Sequence, residues 1–109
     1  MKKSIINTIL FVPIIALVSC AFVSLDPQAQ GVTVSSDKES VNKCKFLGSI
    51  TVSVWAKAED FQSQETMTNQ LDILARNQAA QIHGNVVFPD SVINNGQRSY
   101  KVYDCPIKS

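Results

Sequence analysis

The sequence has 109 residues, of which 45% are hydrophobic and 17% are charged, a composition that suits one small globular domain and excludes a collagen-like or wholly disordered chain. The formal net charge is +1, but two of the positive charges are Lys2 and Lys3, and residues 20–109 contain eight Lys and Arg against nine Asp and Glu. So nearly neutral a domain lacks the basic surface that attracts nucleic acids, and we expect no nucleic-acid partner.

Residues 1–19 have the composition of a secretory signal peptide. A short basic region precedes the apolar run Ile5–Val18, and the small residue Ser19 then precedes Cys20. As a helix this run would cover about 21 Å, short of the roughly 30 Å hydrocarbon core of a bilayer, and Pro13 interrupts it. We therefore predict an exported chain rather than a buried helix or a membrane-spanning one.

The sequence Leu17-Val18-Ser19-Cys20 resembles a bacterial lipobox. The resemblance implies that Cys20 receives a diacylglyceryl group and becomes the acylated N-terminus of the mature chain. Each buried methylene contributes about 0.8 kcal/mol, so two or three acyl chains hold a soluble domain stably at a membrane. Ala21 stands where Asp favours inner-membrane retention in similar lipoproteins, which implies the outer membrane with the domain facing the periplasm. The alternative is a plain signal peptide that leaves Cys20 an unmodified thiol.

Cys44 and Cys105 remain once Cys20 is assigned to the lipid. An even number of cysteines in an exported chain predicts one disulfide. A zinc site needs more ligands than the single His83 can add, and a catalytic thiol needs a base that the sequence does not place beside it.

The first half of the mature chain predicts a tether and two strands. Residues 21–30 show no periodicity, and we predict a tether of about 30 Å at full extension, so the domain comprises residues 31–109. The alternating β-branched residues of 31–34 predict a short first strand, and Phe46–Trp55 predicts a second. One of the two faces of this second strand is more apolar than the other, and it carries Phe46, Ile50, Val52 and Val54.

Residues 66–83 give the best helical pattern. One stripe recurs at steps of three and four residues: Met67, Leu71, Leu74, Ala75, Gln78, Ala79 and Ile82. Ser63 or Thr66 is the expected N-cap, and Gly84 is expected to end the helix in the left-handed conformation.

Two further strands follow the helix. Residues 85–88 form the third and end at Pro89, Asn95-Gly96 is a strong hairpin signal, and Ser99–Cys105 is the fourth. The order β-β-α-β-β predicts an α+β fold, a small four-stranded sheet with one helix on one face. The disulfide would join the start of the second strand to the end of the fourth.

Three segments together resemble the bacterial lipoproteins of domain-of-unknown-function family 4156. They are Cys44–Thr51 on a strand, Leu74–Val87 at the end of the helix, and Tyr100–Cys105 near the C-terminus. The resemblance covers about residues 31–107. Because that family has no settled activity, the resemblance implies location and fold rather than a reaction.

Arg76, Asn77 and Trp55 are the residues that we predict to contact a ligand or partner. Arg76 either holds an anionic ligand or pairs with Asp72 four residues earlier. The alternative for Asn77 is a hydrogen bond to a neighbouring loop. Trp55 either anchors a partner or completes the core.

No catalytic motif is present in the sequence. There is no GxSxG elbow, Walker motif, GxGxxG or HExxH, and Glu59-Asp60 are adjacent carboxylates in a polar stretch. We expect no cofactor, no metal and no enzymatic activity. The expected function is that of a membrane-anchored envelope lipoprotein, a structural or stress-responsive module that binds an unknown envelope protein. The alternatives are a periplasmic domain that binds a small ligand or a metal, and a cell-wall enzyme.

Overall fold

The computed structural model describes residues 23–106. Cys20 and the predicted signal peptide lie outside the described residues. Within the described range four strands and one α-helix form two layers: β1 (Thr33–Val34), β2 (Lys45–Ser53), α1 (Gln64–Gln81), β3 (Val86–Pro89) and β4 (Gln97–Asp104). Three short 3-10 helices occupy connections: Pro27–Ala29, Lys38–Val41 and Ala56–Asp60.

The sheet has the spatial order β1-β3-β4-β2. β1 runs parallel to β3, whereas β3 pairs with β4 and β4 with β2 in antiparallel fashion. The predicted α+β fold, with the order β-β-α-β-β and one helix on one face of a four-stranded sheet, is confirmed. β2, at one edge, pairs along its length with the central strand β4.

The core lies between α1 and the sheet. The helix contributes Met67, Leu71, Ala75 and Ala79, all at most 1% exposed, and the sheet contributes Val52, Val87, Tyr100 and Val102. The two alanines let the helix lie close to the strands, and the predicted stripe is confirmed over most of its length. Only its edge differs, because Gln78 and Ile82 are exposed.

The ends of α1 differ slightly from the prediction. The side chain of Ser63 accepts a hydrogen bond from Thr66 N at 3.1 Å, so Ser63 is the N-cap and the helix begins at Gln64. The left-handed residue after the helix is His83, with a φ of 67°, and not Gly84 as predicted. Gly84 is needed for space instead, because a Cβ there would overlap Cγ1 of the buried Val102.

A bulge in β2 changes the face on which Phe46 lies. Leu47 is the extra residue between the pairs Phe46–Tyr103 and Gly48–Val102, and Gly48 has a φ of 150°. Phe46 is therefore on the outer face of the sheet, 53% exposed, with its ring centroid 5.6 Å from that of Tyr103. The prediction that Phe46 shares the helix-facing side is wrong because the pattern assumed unbroken alternation.

The hairpin turn that leads into β4 is confirmed. Asn95 and Gly96 have φ values of 53° and 73°, as a type I′ turn requires. Asn94 N donates to Gln97 O at 3.0 Å, and Gln97 N donates to Asn94 O at 2.9 Å.

Within the predicted tether, residues 21–30, the structure describes residues 23–30, and part of these is packed against the domain. Ala29 is fully buried and Val32 is 3% exposed, and both belong to the core cluster under α1. The packed part of the domain thus begins before residue 31. Two small apolar residues separated by polar ones give no periodic pattern, so the sequence did not indicate this packing.

Candidate functional site

Cys44 and Cys105 form the predicted disulfide. The bond joins the residue before β2 to the residue after β4, with the two Cα atoms 4.3 Å apart and 61 positions apart in sequence. Closing a loop of that length removes enough entropy from the unfolded chain to stabilise the fold by about 4 kcal/mol. Lipidation of Cys20, outside the described residues, stays a prediction.

Asn85 holds the end of β4 beside this disulfide. Its Nδ2 donates to Cys105 O at 2.7 Å, and its Oδ1 accepts from Cys105 N at 2.7 Å. Its backbone N donates to Tyr103 O, and its backbone O accepts from Thr33 N. Sequence reasoning assigned Asn85 only to a strand. Its position directly after Gly84, between the helix and β3, was the signal that the sequence offered.

Arg76 binds the chain's own N-terminal segment. Nε donates to Val32 O at 2.7 Å, and Nη2 lies 3.5 Å from Ala29 O and 3.4 Å from Gln30 O. The predicted pairing with Asp72 is wrong, because Asp72 bonds to another residue. These three contacts, made by Nε and Nη2, fix the N-terminal segment on α1. Whether Arg76 also contacts a ligand stays a prediction.

Asn77 bonds to the neighbouring segment, the alternative that its sequence position left open. Its Oδ1 accepts from Asp26 N at 2.8 Å, and its Nδ2 donates to Ser24 O at 2.9 Å. The amide therefore mimics a strand neighbour for residues 24–26. Together Arg76 and Asn77 hold residues 24–32 against the last third of the helix.

Tyr100 and Asp72 form a hydrogen bond that sequence reasoning missed. Tyr100 is fully buried, and its Oη donates to Asp72 Oδ1 at 2.5 Å. Burial raises the pKa of the Tyr100 hydroxyl, and the hydrogen bond and charge of Asp72 raise it further. This hydrogen bond joins α1 to β4.

Trp55 lies on the surface and not in the core. It is 65% exposed and stacks on Phe61, which is 75% exposed, with ring centroids 5.9 Å apart and planes 12° apart. Residues 56–60 form the 3-10 turn that brings the two rings together. A polar stretch has no pattern that predicts such a turn, so the sequence did not indicate that the two aromatic rings stack. We call Trp55 and Phe61 the aromatic pair.

A groove on the outer face of the sheet combines aromatic and basic side chains. Its volume is about 420 Å³, and its lining includes Lys38, Phe88, Lys101 and Tyr103. Lys101 Nζ lies 3.8 Å from Asp90 Oδ1, an exposed ion pair of small stabilising effect. A second depression of about 610 Å³ shares Asn42 and Cys44 with the groove, so two depressions meet beside the disulfide.

Neither a metal cluster nor a membrane-crossing helix is present within residues 23–106. No three His, Cys, Asp or Glu side chains converge there on a possible metal position. None of the helices described combines the length and hydropathy that crossing a bilayer requires.

Residues 23–105 match the model of a family described as Domain of unknown function (DUF4156). No curated protein and no solved structure matches the chain. The matched range begins with the segment that Arg76 and Asn77 hold, and it includes the helix, all four strands and both cysteines of the disulfide. It also includes the three segments that resembled this family in the sequence. The chain therefore belongs to the DUF4156 family.

Proposed function

We propose that this protein is a lipid-anchored component of the bacterial cell envelope whose domain binds a partner protein and does not catalyse a reaction. The anchor is supported by the sequence, in which a basic region and an apolar run end at the lipobox-like Cys20. Binding is supported by the aromatic pair, two large rings left open to solvent on a domain of this size.

An anchor at Cys20 would keep the domain close to the bilayer. Three peptide units separate Cys20 from Val23, so the link spans at most about 10 Å. From Ser24 onward the chain bonds to Asn77, so the linker between Cys20 and the domain cannot become longer unless those bonds break. We therefore expect the domain to lie beside the outer membrane and not at the end of a long flexible linker.

The aromatic pair is the observation that carries the proposal. Phe61 lies two residues before the helix cap Ser63, whereas the N-terminal segment is held at Asn77. At ~1.5 Å per residue these points are about 20 Å apart along the helix, so an anchor does not cover the rings. Tryptophan is one of the side chains enriched at interface hot spots, where truncation costs at least about 2 kcal/mol.

This proposal is tested by using the full chain to capture its partner protein from detergent-solubilised membranes and measuring the amount that is captured. A double variant, Trp55→Ala with Phe61→Ala, should lose its specific partner, since about 2 kcal/mol corresponds to roughly 30-fold in affinity. Phe46→Ala is the matched control, because it removes another exposed ring about 25 Å away along β2.

Equal capture by the double variant and the wild type would exclude the aromatic pair as the contact. Mass spectrometry of the N-terminus tests the anchor separately. A mature chain without acyl groups on Cys20 would refute the lipid-anchored half of the proposal.

A second candidate function is binding of a small anionic ligand in the groove on the outer face. Its volume of about 420 Å³ lies in the usual range for ligand pockets, and two ammonium groups stand beside two rings. The unfolding temperature in increasing inorganic phosphate, and in acidic envelope oligosaccharides, tests it. We expect a rise that Lys101→Ala abolishes, and no rise in any ligand would exclude this candidate.

A further inference from the structure

The outer edge of β2 is a row of unpaired backbone groups. β2 is the last strand in the order β1-β3-β4-β2, and β4 is the one described strand with which it pairs; eight of its nine residues have a partner there. Within residues 23–106 no backbone hydrogen bond joins Lys45–Ser53 to any element other than β4. The opposite edge of the sheet is only the two-residue β1. β2 is thus the long open edge.

The pairing pattern shows which residues face this edge. Val54 N donates to Gly96 O at 2.8 Å, and hydrogen-bonded pairs alternate along an antiparallel ladder. Counting back from Val54, the backbone groups of Val52 and Ile50 bond to β4. The residues that direct N–H and C=O groups to the open edge are Ser49, Thr51 and Ser53.

Little protects this part of the edge from another strand. Proteins usually guard edges with charges, proline or bulges. In β2 the bulge at Leu47 and the charge of Lys45 both precede residue 49. Residues 46–56 contain no charged residue and no proline. The regular stretch 49–53 is therefore a template for main-chain pairing.

We propose that β2 pairs with β2 of a second copy of this chain, antiparallel and about a two-fold axis at Thr51. In this register Ser49 lies opposite Ser53 and Thr51 opposite Thr51, so hydroxyl side chains meet on the outer face. Ile50 lies opposite Val52, so aliphatic side chains meet on the helix side.

Other registers fit the strand less well. A shift of two residues one way places Val52 opposite Gly48 in the bulge, and a shift the other way places Ser49 opposite Trp55, beyond the end of β2. The self-complementary stretch 49–53 selects Thr51 as the centre. This self-complementarity is the reason why we propose a second copy, and not an arbitrary peptide, as the occupant.

The pairing is compatible with two anchored copies in one membrane. A two-fold axis perpendicular to the sheet leaves both α1 helices on the same face of the joined sheet. The N-terminal segments that Arg76 and Asn77 hold against each helix then lie on that same side. The outer faces of both sheets point together to the other side. The pairing itself does not depend on the anchor or on the aromatic pair.

Cross-linking of the full chain in isolated membranes tests the register. Thr51 would face its copy in a hydrogen-bonded pair with Cα atoms ~5.5 Å apart, which is within disulfide reach. We expect Thr51→Cys to give a species of twice the mass on non-reducing gels. Ser99→Cys is the matched control, since it lies on the same face in β4 and its two copies would be about 15 Å apart.

Thr51→Lys provides a second measurement. Thr51 is exposed, so the folded monomer should tolerate lysine, whereas two like charges would meet at the axis. We expect sedimentation to show the wild type at twice the mass of this variant, with the Cys44–Cys105 bond intact in both. Equal masses for the two proteins would overturn the proposal. So would cross-linking of Thr51→Cys no greater than that of Ser99→Cys, or an adduct with a different protein.

Discussion

Removal of the Arg76 guanidinium should loosen the N-terminal segment and destabilise the whole domain. Its strongest contact is the 2.7 Å bond from Nε to Val32 O, and the two bonds from Nη2 are longer, at 3.4 and 3.5 Å. A hydrogen bond to a charged group contributes ~1.5–3 kcal/mol. Because Arg76 is half-buried, we expect the lower part of that range, about 1.5–2 kcal/mol.

Urea unfolding of Arg76→Ala measures this loss as a lower midpoint at unchanged slope. Hydrogen exchange should show a larger local effect, because residues 29–32 depend on Arg76 for attachment whereas the central strands do not. Gln78→Ala is the control, since Gln78 is an exposed residue of the same helix.

A loss below ~0.5 kcal/mol, the usual scatter of surface substitutions, together with unchanged exchange over residues 24–34, would refute this account. The segment would then be held by the burial of Ala29 and Val32 alone. Asn77→Ala should give a smaller loss of about 1 kcal/mol, because its two bonds do not involve a charged side chain.

Three further predictions concern stability. Gly84→Ala should lower the free energy of unfolding by about 1–3 kcal/mol in urea, because the added methyl overlaps a buried valine of β4. Paired replacement of Cys44 and Cys105 by serine should lower it by up to about 4 kcal/mol, through the greater entropy of the unfolded chain. Tyr100 should make stability fall as pH rises above about 10, because its pKa is raised in the folded state, so the unfolded chain loses the proton first. Tyr100 contributes at most about 1.4 kcal/mol per pH unit to the fall of the free energy of unfolding with pH, and Tyr100→Phe should lack this contribution.

Each of these predictions has a result that contradicts it. A Gly84→Ala protein as stable as the wild type would show that the valine moves aside. Equal urea midpoints for the oxidised and the serine-substituted chains would mean that the disulfide does not limit the unfolded state. For Tyr100 the free energy of unfolding of the wild type is compared with that of Tyr100→Phe at each pH, because the contribution of the lysines is common to both proteins. If the two free energies fall in parallel above pH 10, the raised pKa of Tyr100 is contradicted.

Local patterns determine the parts of this fold that sequence reasoning predicted. The apolar stripe from Met67 to Ala79 predicts a helix because one face must be buried, and Asn95-Gly96 predicts its turn because both residues adopt positive φ readily. The disulfide was predicted from the number of cysteines and from the expectation that the chain is exported.

The remaining features depend on contacts between distant residues. The docking of residues 24–32 needs Arg76 and Asn77, more than 40 positions later, and no local pattern indicates such a pairing. β1 is only two residues long and is defined by its neighbour β3. A single bulge at Leu47 moved Phe46 to the other face, because one extra residue reverses the side of all residues before it.

The candidate site was predicted only in part for the same reason. Arg76, Asn77 and Trp55 were recognised as unusual, but their surroundings were not. The sequence does not show that a 3-10 turn stacks Trp55 on Phe61, or that Asp72 bonds to Tyr100 across the two layers. Residue type indicated which side chains to inspect, and tertiary packing decided what each one does.

The two hydrogen bonds from the Asn85 side chain to the backbone of Cys105 do not involve sulfur, so they do not require the disulfide chemically. Lys45 and Asp104, which adjoin the two cysteines, form a backbone pair of the β2–β4 ladder that does not involve sulfur either. We therefore expect a reduced chain to retain contacts that keep Cys44 near Cys105, so that reoxidation would join the same two thiols.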